Sequence, residues 1–349
     1  MSRVLVTGGA GFIGSHTCLN LAENGFEVYV VDSLINGFVE SINRVNQYCK
    51  KKGFKEVKFF KVNLCDFETF ESFFCEIYSK KIKFDGVIHF AGLKSVAHSI
   101  ENPILYWSNN INSTLNLLKL MSNFDIDSLV FSSSATVYGY NNKSPLSENA
   151  STNPINPYGD TKLVIEKILK QYIKSSSRKL KIASLRYFNP VGANKFSIIG
   201  ECNKEVANNL FPILCNVAYG DVDSLTIFGN DWPTKDGTCI RDYIHVEDLS
   251  EAHTKALKYL FSQKEVNTIL NLGTGKGTSI LELINIFQEV NKVKINYKFG
   301  KRRIGDIAEV FADTNLANIT IDWKAKRDLR NMCLDGWNWK KNNPYGFLN

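Results

Sequence analysis

Short β-branched apolar runs alternate with longer stretches of helical period through the first half of the chain. The runs predict strands at Arg3 to Gly8, Glu27 to Asp32, Val57 to Leu64, Gly86 to Ala91, Leu129 to Ser134 and Lys181 to Phe188. Helices are predicted between them, at Ile13 to Asn24, Val39 to Lys51, Phe67 to Lys80, Ile104 to Asn123 and Tyr158 to Ser176. Val-Ile-His-Phe-Ala at 87–91 is almost continuously apolar, as a strand covered on both faces must be. Repeated strand–helix units with right-handed crossovers predict an α/β fold with a doubly wound parallel sheet. After Asn189 the rhythm breaks: residues 190–236 are irregular and rich in Gly, Asn and Pro, before a strand at Ile269 to Gly273 and a helix at Thr278 to Val290. The expected organisation is therefore a first domain over 1–189 to which the chain returns around 237–275. A smaller C-terminal lobe drawn mainly from 190–349 follows, with an interleaved boundary.

Composition supports a sizeable buried core: 349 residues, 44% hydrophobic and 22% charged, enough for about two domains. The net charge of +7 comes from 42 basic and 35 acidic residues spread along the chain, with short clusters only at Lys50–Lys52 and Lys340–Lys341. A nucleic-acid binder concentrates its excess on one face, so no nucleic-acid partner is expected, and a mild basic excess suits an anionic small molecule. The N-terminus enters a strand without a signal-peptide pattern, and no apolar stretch approaches the ~20 residues that span a bilayer. The expectation is a cytoplasmic protein without a membrane partner. Eight cysteines form no C-x-x-C pair and are expected to be reduced; five histidines show no metal-ligand spacing, so no metal is expected.

Candidate chemistry begins at Val6-Thr7-Gly8-Gly9-Ala10-Gly11-Phe12-Ile13-Gly14, a G-x-x-G-x-x-G loop between the first strand and its helix. Gly8 and Gly11 let the backbone turn tightly and approach a pyrophosphate, Gly14 allows close helix-to-sheet packing, and the helix N-terminus supplies N–H donors. A lone glycine triplet fits a plain strand-to-helix turn equally well. Context decides: Asp32 ends the second strand 18 residues after Gly14, where a carboxylate accepts bonds from an adenosine ribose and repels a 2′-phosphate. No Lys or Arg lies between 33 and 43 to offset it, which predicts NAD on a Rossmann-type sheet. Phe12, Ile13, Asn36 and Ala91 join the expected cofactor set. Gly273-Thr274-Gly275-Lys276-Gly277-Thr278 fails the spacing of a P-loop and reads as a turn.

Past the fifth strand run Ser132-Ser133-Ser134, and 24 residues after Ser134 comes Tyr158-Gly159-Asp160-Thr161-Lys162. Tyr158 and Lys162 sit at i and i+4, on one helix face. A phenol titrates near ~10, so a base at neutral pH needs a depression of about 3 units, roughly what one ammonium ~4 Å away supplies at an effective dielectric of ~20. Tyr158 is the expected general base, Ser134 the bridge to a substrate hydroxyl and Lys162 the group that tunes the pair and holds the nicotinamide ribose.

With those residues in view, the chain resembles the extended short-chain dehydrogenase/reductase family, and within it the UDP-glucose 4-epimerase branch. The matching stretches span nearly all of it: Val4 to Gly11, His89 to Lys94, Phe131 to Gly139, Leu185 to Ala193, Arg241 to Val246 and Arg302 to Asp306. The resemblance implies that Lys94 and Asn109 lie near the nicotinamide end of NAD, with Phe90 and Phe188 lining its site. It also implies a UDP-hexose site at Tyr187, Asn189, Asn209, Leu210, Phe228, Arg241, Arg303 and Asp306, with Lys94, Ser134 and Tyr158 on the sugar. Phe228 falls beside the uracil, Arg241 and Arg303 on the pyrophosphate, and Asp306 on the uridine ribose. Two stretches depart from the family pattern. The adenine-side strand end reads Asn63-Leu64, without the usual Asp, and Glu201 to Ala207 lacks the usual Pro-rich wording before Asn208-Asn209-Leu210.

The implied activity is reversible epimerisation at carbon 4 of a UDP-hexose through a 4-keto intermediate, by a homodimer. Alternatives are a 4,6-dehydratase, which is expected to carry Thr-Asp-Glu where this chain has Ser134-Ala135-Thr136, and a dinucleotide-sensing regulator, which is expected to lose Tyr158 or Lys162. Val310, four residues after Asp306, matches a position bordering the hexose; a small residue there implies room for a 2-acetamido group and activity on UDP-N-acetylhexosamines.

Overall fold

The computed structural model describes residues 2–140, 142–204, 209–303 and 305–348. Glu205 to Asn208 and Ile304, which fall in two of the sequence stretches above, lie outside the described residues.

The first half is a βα alternation: β1 (Arg3–Thr7), α1 (Phe12–Glu23), β2 (Glu27–Asp32), α2 (Val39–Lys52), β3 (Lys58–Lys61), α3 (Phe67–Ser79), β4 (Gly86–His89), α4 (Val96–Glu101), α5 (Pro103–Asn123), β5 (Ser128–Ser134), α6 (Pro157–Ser175) and β6 (Lys181–Tyr187). The second half adds β7 (Asn189–Val191), α7 (Leu210–Tyr219), β8 (Leu225–Phe228), β9 (Ile240–Arg241), β10 (Tyr243–His245), α8 (Val246–Ser262), β11 (Val266–Leu272), β12 (Thr278–Ser279), α9 (Ile280–Asn291), β13 (Tyr297–Gly300), β14 (Glu309–Val310), α10 (Asn315–Ile321) and α11 (Leu329–Asn342).

Seven parallel strands form the central sheet in the order β3-β2-β1-β4-β5-β6-β11, the doubly wound arrangement expected. The sheet's two faces bury alternate residues. Val4, Val6, Val28 and Val30 pack with Leu249, Ala252 and Ala256 of α8 on one side. Leu5, Tyr29 and Val31 meet Phe70, Leu117 and Ile165 on the other. Two-sided burial is why these strands read as apolar runs.

The structure corrects several predicted elements. β3 is only Lys58–Lys61, because at the sheet edge it has one partner, the four residues Tyr29–Asp32. A separate helix, α4, with Ser95 as N-cap, precedes α5 where a loop was expected. Within 190–236 the chain forms α7 and β8, and α8, also unpredicted, covers the sheet. The second lobe has its own core, in which Phe211, Leu214, Ile227, Ile284, Phe287 and Trp337 meet.

β1 lies between β2 and β4 although its chain neighbours run outward in opposite directions. Such a switch point opens a crevice beyond the strands' carboxyl ends, where ligands of doubly wound sheets bind.

Candidate active site

The glycine turn fills that crevice. Gly8 has φ +69°, in the left-handed region, and a Cβ there would stand 2.6 Å from the Ala91 amide nitrogen. At Gly14 a Cβ would stand 2.3 Å from the Gly8 carbonyl oxygen, so α1 packs directly onto the turn. A Cβ at Gly11 would meet only the Gly8 oxygen, at 3.4 Å, which leaves its outer side open. Gly11 is the N-cap of α1, with no side-chain cap and no acidic residue in the first turn. The amides of Phe12 and Ile13 therefore head a helix terminus whose partial positive charge no side chain answers.

Asp32 ends β2, buried. Its Oδ2 accepts from the Ala10 amide at 3.0 Å and its Oδ1 from the Leu34 amide at 2.8 Å. Burial pushes its carboxyl above the ordinary range while those two amides pull it down. Each oxygen keeps one lone pair free for a ribose hydroxyl. Exposed Asn63 and buried Leu64 follow β3 beside this point, and Asn36 lies exposed on the loop after β2. Open turn, uncapped helix and buried carboxylate together fit a dinucleotide.

The chemical groups come from β5 and α6. Ser134 closes β5, its hydroxyl accepting from the Thr136 amide at 3.2 Å. Pro157 opens α6 behind the N-cap Asn156, whose side chain accepts from the Gly159 amide at 2.8 Å, and this start places Tyr158 and Lys162 on one face. The buried Lys162 donates to the Ser132 carbonyl at 2.8 Å, and its ammonium lies 5.8 Å from the Tyr158 ring centroid. Burial lowers Lys162 to about 8. The phenol is not depressed as its spacing from Lys162 suggested. Burial pushes Tyr158 up to about 12, with the Ser134 hydroxyl pulling the other way. The ammonium bonds the Ser132 carbonyl, and desolvation of the buried phenol outweighs the other influences on it.

Sequence reasoning missed the ion pair beneath the serines. Glu166 Oε1 accepts from the Ser133 hydroxyl at 2.5 Å and from Arg186 Nε at 2.9 Å, while Arg186 Nη2 reaches Oε2 at 2.6 Å, all buried. The signal was available, since Glu166 continues the Tyr158, Lys162 series by another four residues on α6. Asn110, next to the expected Asn109, was also missed. It holds the Leu93 amide and carbonyl at 2.8 and 3.1 Å and takes part in a 3.1 Å bond with Thr161, which fixes the turn after β4. Asn109 itself is half-buried, donating to Asn110 Oδ1 at 3.0 Å.

Tyr187 was expected at the sugar. Its ring is buried on the core side of β6, with its hydroxyl 2.5 Å from His253 Nε2. His253 in turn packs on Phe90, ring centroids 4.7 Å apart. Phe188, the next residue, faces the opposite way, into a cluster with Val137, Tyr138, Leu163 and Val310.

The second lobe brings most of the remaining candidates together. Arg303 lies over the Phe228 ring at 4.2 Å. Arg241 is fixed by the Ile240 and Ile307 carbonyls, each at 2.8 Å, and faces Asp306 at 3.4 Å. Val310 pairs in register with Arg241, so one short β ladder carries the cation and the residue bordering the Tyr138 cluster. Exposed Asn189 opens β7, and exposed Asn209 is the N-cap ahead of Leu210 in α7. Asp242, unremarked in the sequence, is buried and accepts from the amides of Thr274, Gly275 and Ala312 at 2.8 to 3.1 Å, which makes 273–278 a structural turn. Lys94 is exposed and pairs with Glu201 at 3.2 Å.

Comparison with known proteins matches this arrangement along its whole length. A family model described as GDP-mannose 4,6 dehydratase matches residues 5–335. The UDP-glucose 4-epimerase of Bacillus subtilis is 44% identical over 344 residues, covering 99% of this chain and 98% of that one. UDP-glucose 4-epimerase 2 of Arabidopsis thaliana is 47% identical, covering 99% and 96%. Among solved structures, the epimerase of Stenotrophomonas maltophila with bound NAD and formylated UDP-arabinopyranose superposes with a TM-score of 0.93 at 42% identity, covering 99% of both chains. That of Bifidobacterium longum, in complex with NAD+ and UDP, gives 0.92 at 40%, covering 99% and 100%. With the dehydratases' carboxylates absent after Ser134 and likeness to epimerases running end to end, the chain belongs to the UDP-glucose 4-epimerase family of extended short-chain dehydrogenases/reductases.

Proposed function

We propose that the protein interconverts UDP-glucose and UDP-galactose by oxidation and re-reduction at carbon 4, using a retained NAD. What supports this reading is that Lys162, on the face of α6 that carries Tyr158, bonds the end of β5 at Ser132 next to Ser134, while Arg241, Asp306, Arg303 and Phe228 gather in the second lobe. NAD, when bound, supplies the hydride acceptor and donor. The chain's own groups do the rest. Tyr158 takes the 4-hydroxyl proton, Ser134 bridges that hydroxyl to the phenol, and Lys162 holds the nicotinamide ribose. Arg241 and Arg303 grip the pyrophosphate. Anchoring UDP while leaving the hexose loosely held lets the 4-keto sugar turn its other face to the hydride. Burial holds the phenol up, and the positive charge of oxidised nicotinamide would favour its ionised form, as a base at neutral pH requires.

The division of labour follows the two lobes: residues 1–189, with the return at 237–275, hold NAD, and residues 190–349 mainly hold the UDP-sugar. Gly8, Gly11, Phe12, Ile13, Gly14, Asp32, Asn36, Asn63, Leu64, Phe90, Ala91, Lys94, Asn109 and Phe188 serve the cofactor. Asn189, Asn209 and Leu210 serve the nucleotide.

A homodimer fits an apolar stripe on α4 and α5, where Ile100 is 61% and Ile104 82% exposed, with Trp107 and Leu115 further along the same face. No helix among the described residues is long and apolar enough to cross a membrane, and the proposed setting is the cytoplasm.

The wider substrate range proposed rests on size alone: Val310 is half-buried against the Tyr138–Phe188 cluster, and valine is smaller than the tyrosine that would close the site. Product analysis with UDP-galactose and with UDP-N-acetylgalactosamine, no NAD added, tests both readings. Conversion of both is expected in the wild type, and Val310→Tyr is expected to lose the N-acetyl activity while sparing UDP-galactose. Equal loss on both sugars would remove the volume argument; no conversion of UDP-galactose by the wild type would remove the epimerase assignment.

A further inference from the structure

One stretch of second-lobe chain reaches the cofactor crevice from outside the sheet. Glu201 pairs with Lys94, beyond the end of β4, at 3.2 Å. Lys204 donates to the carbonyl of Leu34, beyond the end of β2, with its ammonium 5.1 Å from the Phe38 ring and its charge bearing on Asp32. Because β1 lies between β2 and β4, a segment tied to both rims crosses over the end of β1, where the glycine turn sits. The dimensions agree. Three residue steps reach about 10 Å when extended, and two strand spacings are about 9.5 Å.

Both ends are anchored. Trp339 of α11 donates through Nε1 to the Glu201 carbonyl at 2.9 Å, and Gly200 lies flat on the Trp339 ring, where a Cβ would come within 2.4 Å. Leu34 takes φ +61°, rare for a bulky residue, with its amide held by Asp32, so the residue Asp32 fixes also presents the carbonyl that Lys204 binds. Sequence reasoning searched only 33–43 for a cation near Asp32; this one arrives from 170 residues away.

We propose that Glu201 and Lys204 form a strap, supplied by the substrate lobe, that closes over the pyrophosphate of the dinucleotide and retains it between turnovers. The inference rests on the NAD reading of the crevice. Retention matters chemically: a hydride taken from carbon 4 must return to the same sugar, and release of the reduced cofactor in mid-cycle strands a 4-keto product.

The test is the rate at which NAD leaves the intact protein, followed by chase with labelled NAD and by NAD content after timed dialysis. Lys204→Met, which keeps the stem on Phe38, and Glu201→Gln are each expected to speed release about 2- to 5-fold, the scale of an exposed ion pair. The double variant should release faster than either, and Lys204→Arg should restore retention. Raising the salt concentration should speed release in the wild type more than in the double variant. Release from the double variant at the wild-type rate would overturn the strap while leaving NAD binding intact. A wild-type protein that neither contains nor takes up NAD would instead remove the cofactor reading, and the strap with it.

Discussion

The proposed cofactor end and the proposed nucleotide-sugar end of the crevice are built from different materials. At the first the structure offers backbone: a turn whose Gly8 and Gly14 leave no room for a side chain, an uncapped helix terminus, and one buried carboxylate. At the second it offers side chains. Arg241 is steadied by two carbonyls, Arg303 lies on an aromatic ring, and a valine sits in short-strand register with the cation. A backbone site tolerates little change at its glycines, because φ and close approach are fixed by the fold. A side-chain site can be trimmed group by group, each loss read as binding. Tyr158 is proposed to sit where the two meet, so its loss should affect neither kind of binding.

Tyr158→Phe should therefore have the largest effect on turnover, a fall of about 10²- to 10⁴-fold in kcat, with NAD content and unfolding midpoint unchanged. Turnover near the wild-type rate would take the phenol out of the chemistry. Gly8→Ala tests the backbone site: a left-handed alanine costs about 1–2 kcal/mol, and its Cβ must displace Ala91, so lower stability and loss of bound NAD should appear together. Retained NAD with lower stability would separate the turn from the cofactor. Arg303→Ala is the side-chain counterpart. Its expected signature is a KM for the UDP-sugar raised about 10- to 100-fold, the ~1.5–3 kcal/mol of a charge-assisted contact, with NAD retention unaffected. Asp32→Ala should have the smallest effect, about 10-fold weaker NAD and relaxed rejection of NADP. An unchanged preference would mean that the Asp32 carboxylate does not set the choice between NAD and NADP.

The same difference in materials explains what the sequence revealed. β1, β2, β4, β5 and β6 were legible to within two or three residues because strands buried on both faces must be apolar throughout. The glycine turn was legible because its spacing is its mechanism. β9, β12 and β14 have two residues each, too few for any period to register. The lysine of the strap and the ion pair of Glu166 with Arg186 depend on contacts across the fold, which local pattern does not encode. Lys162 shows how far spacing reaches: the i+4 pattern placed it on the face of Tyr158, but its bond to the Ser132 carbonyl is a tertiary fact.

In the proposed reaction hydride leaves carbon 4 and returns to it without exchanging with solvent. Incubating the purified protein, with no NAD added, with UDP-galactose carrying deuterium at carbon 4 tests this directly by NMR of the products. UDP-glucose with the deuterium still on carbon 4 is the expected product. Conversion with exchange of that deuterium for solvent hydrogen, or no conversion, would contradict it.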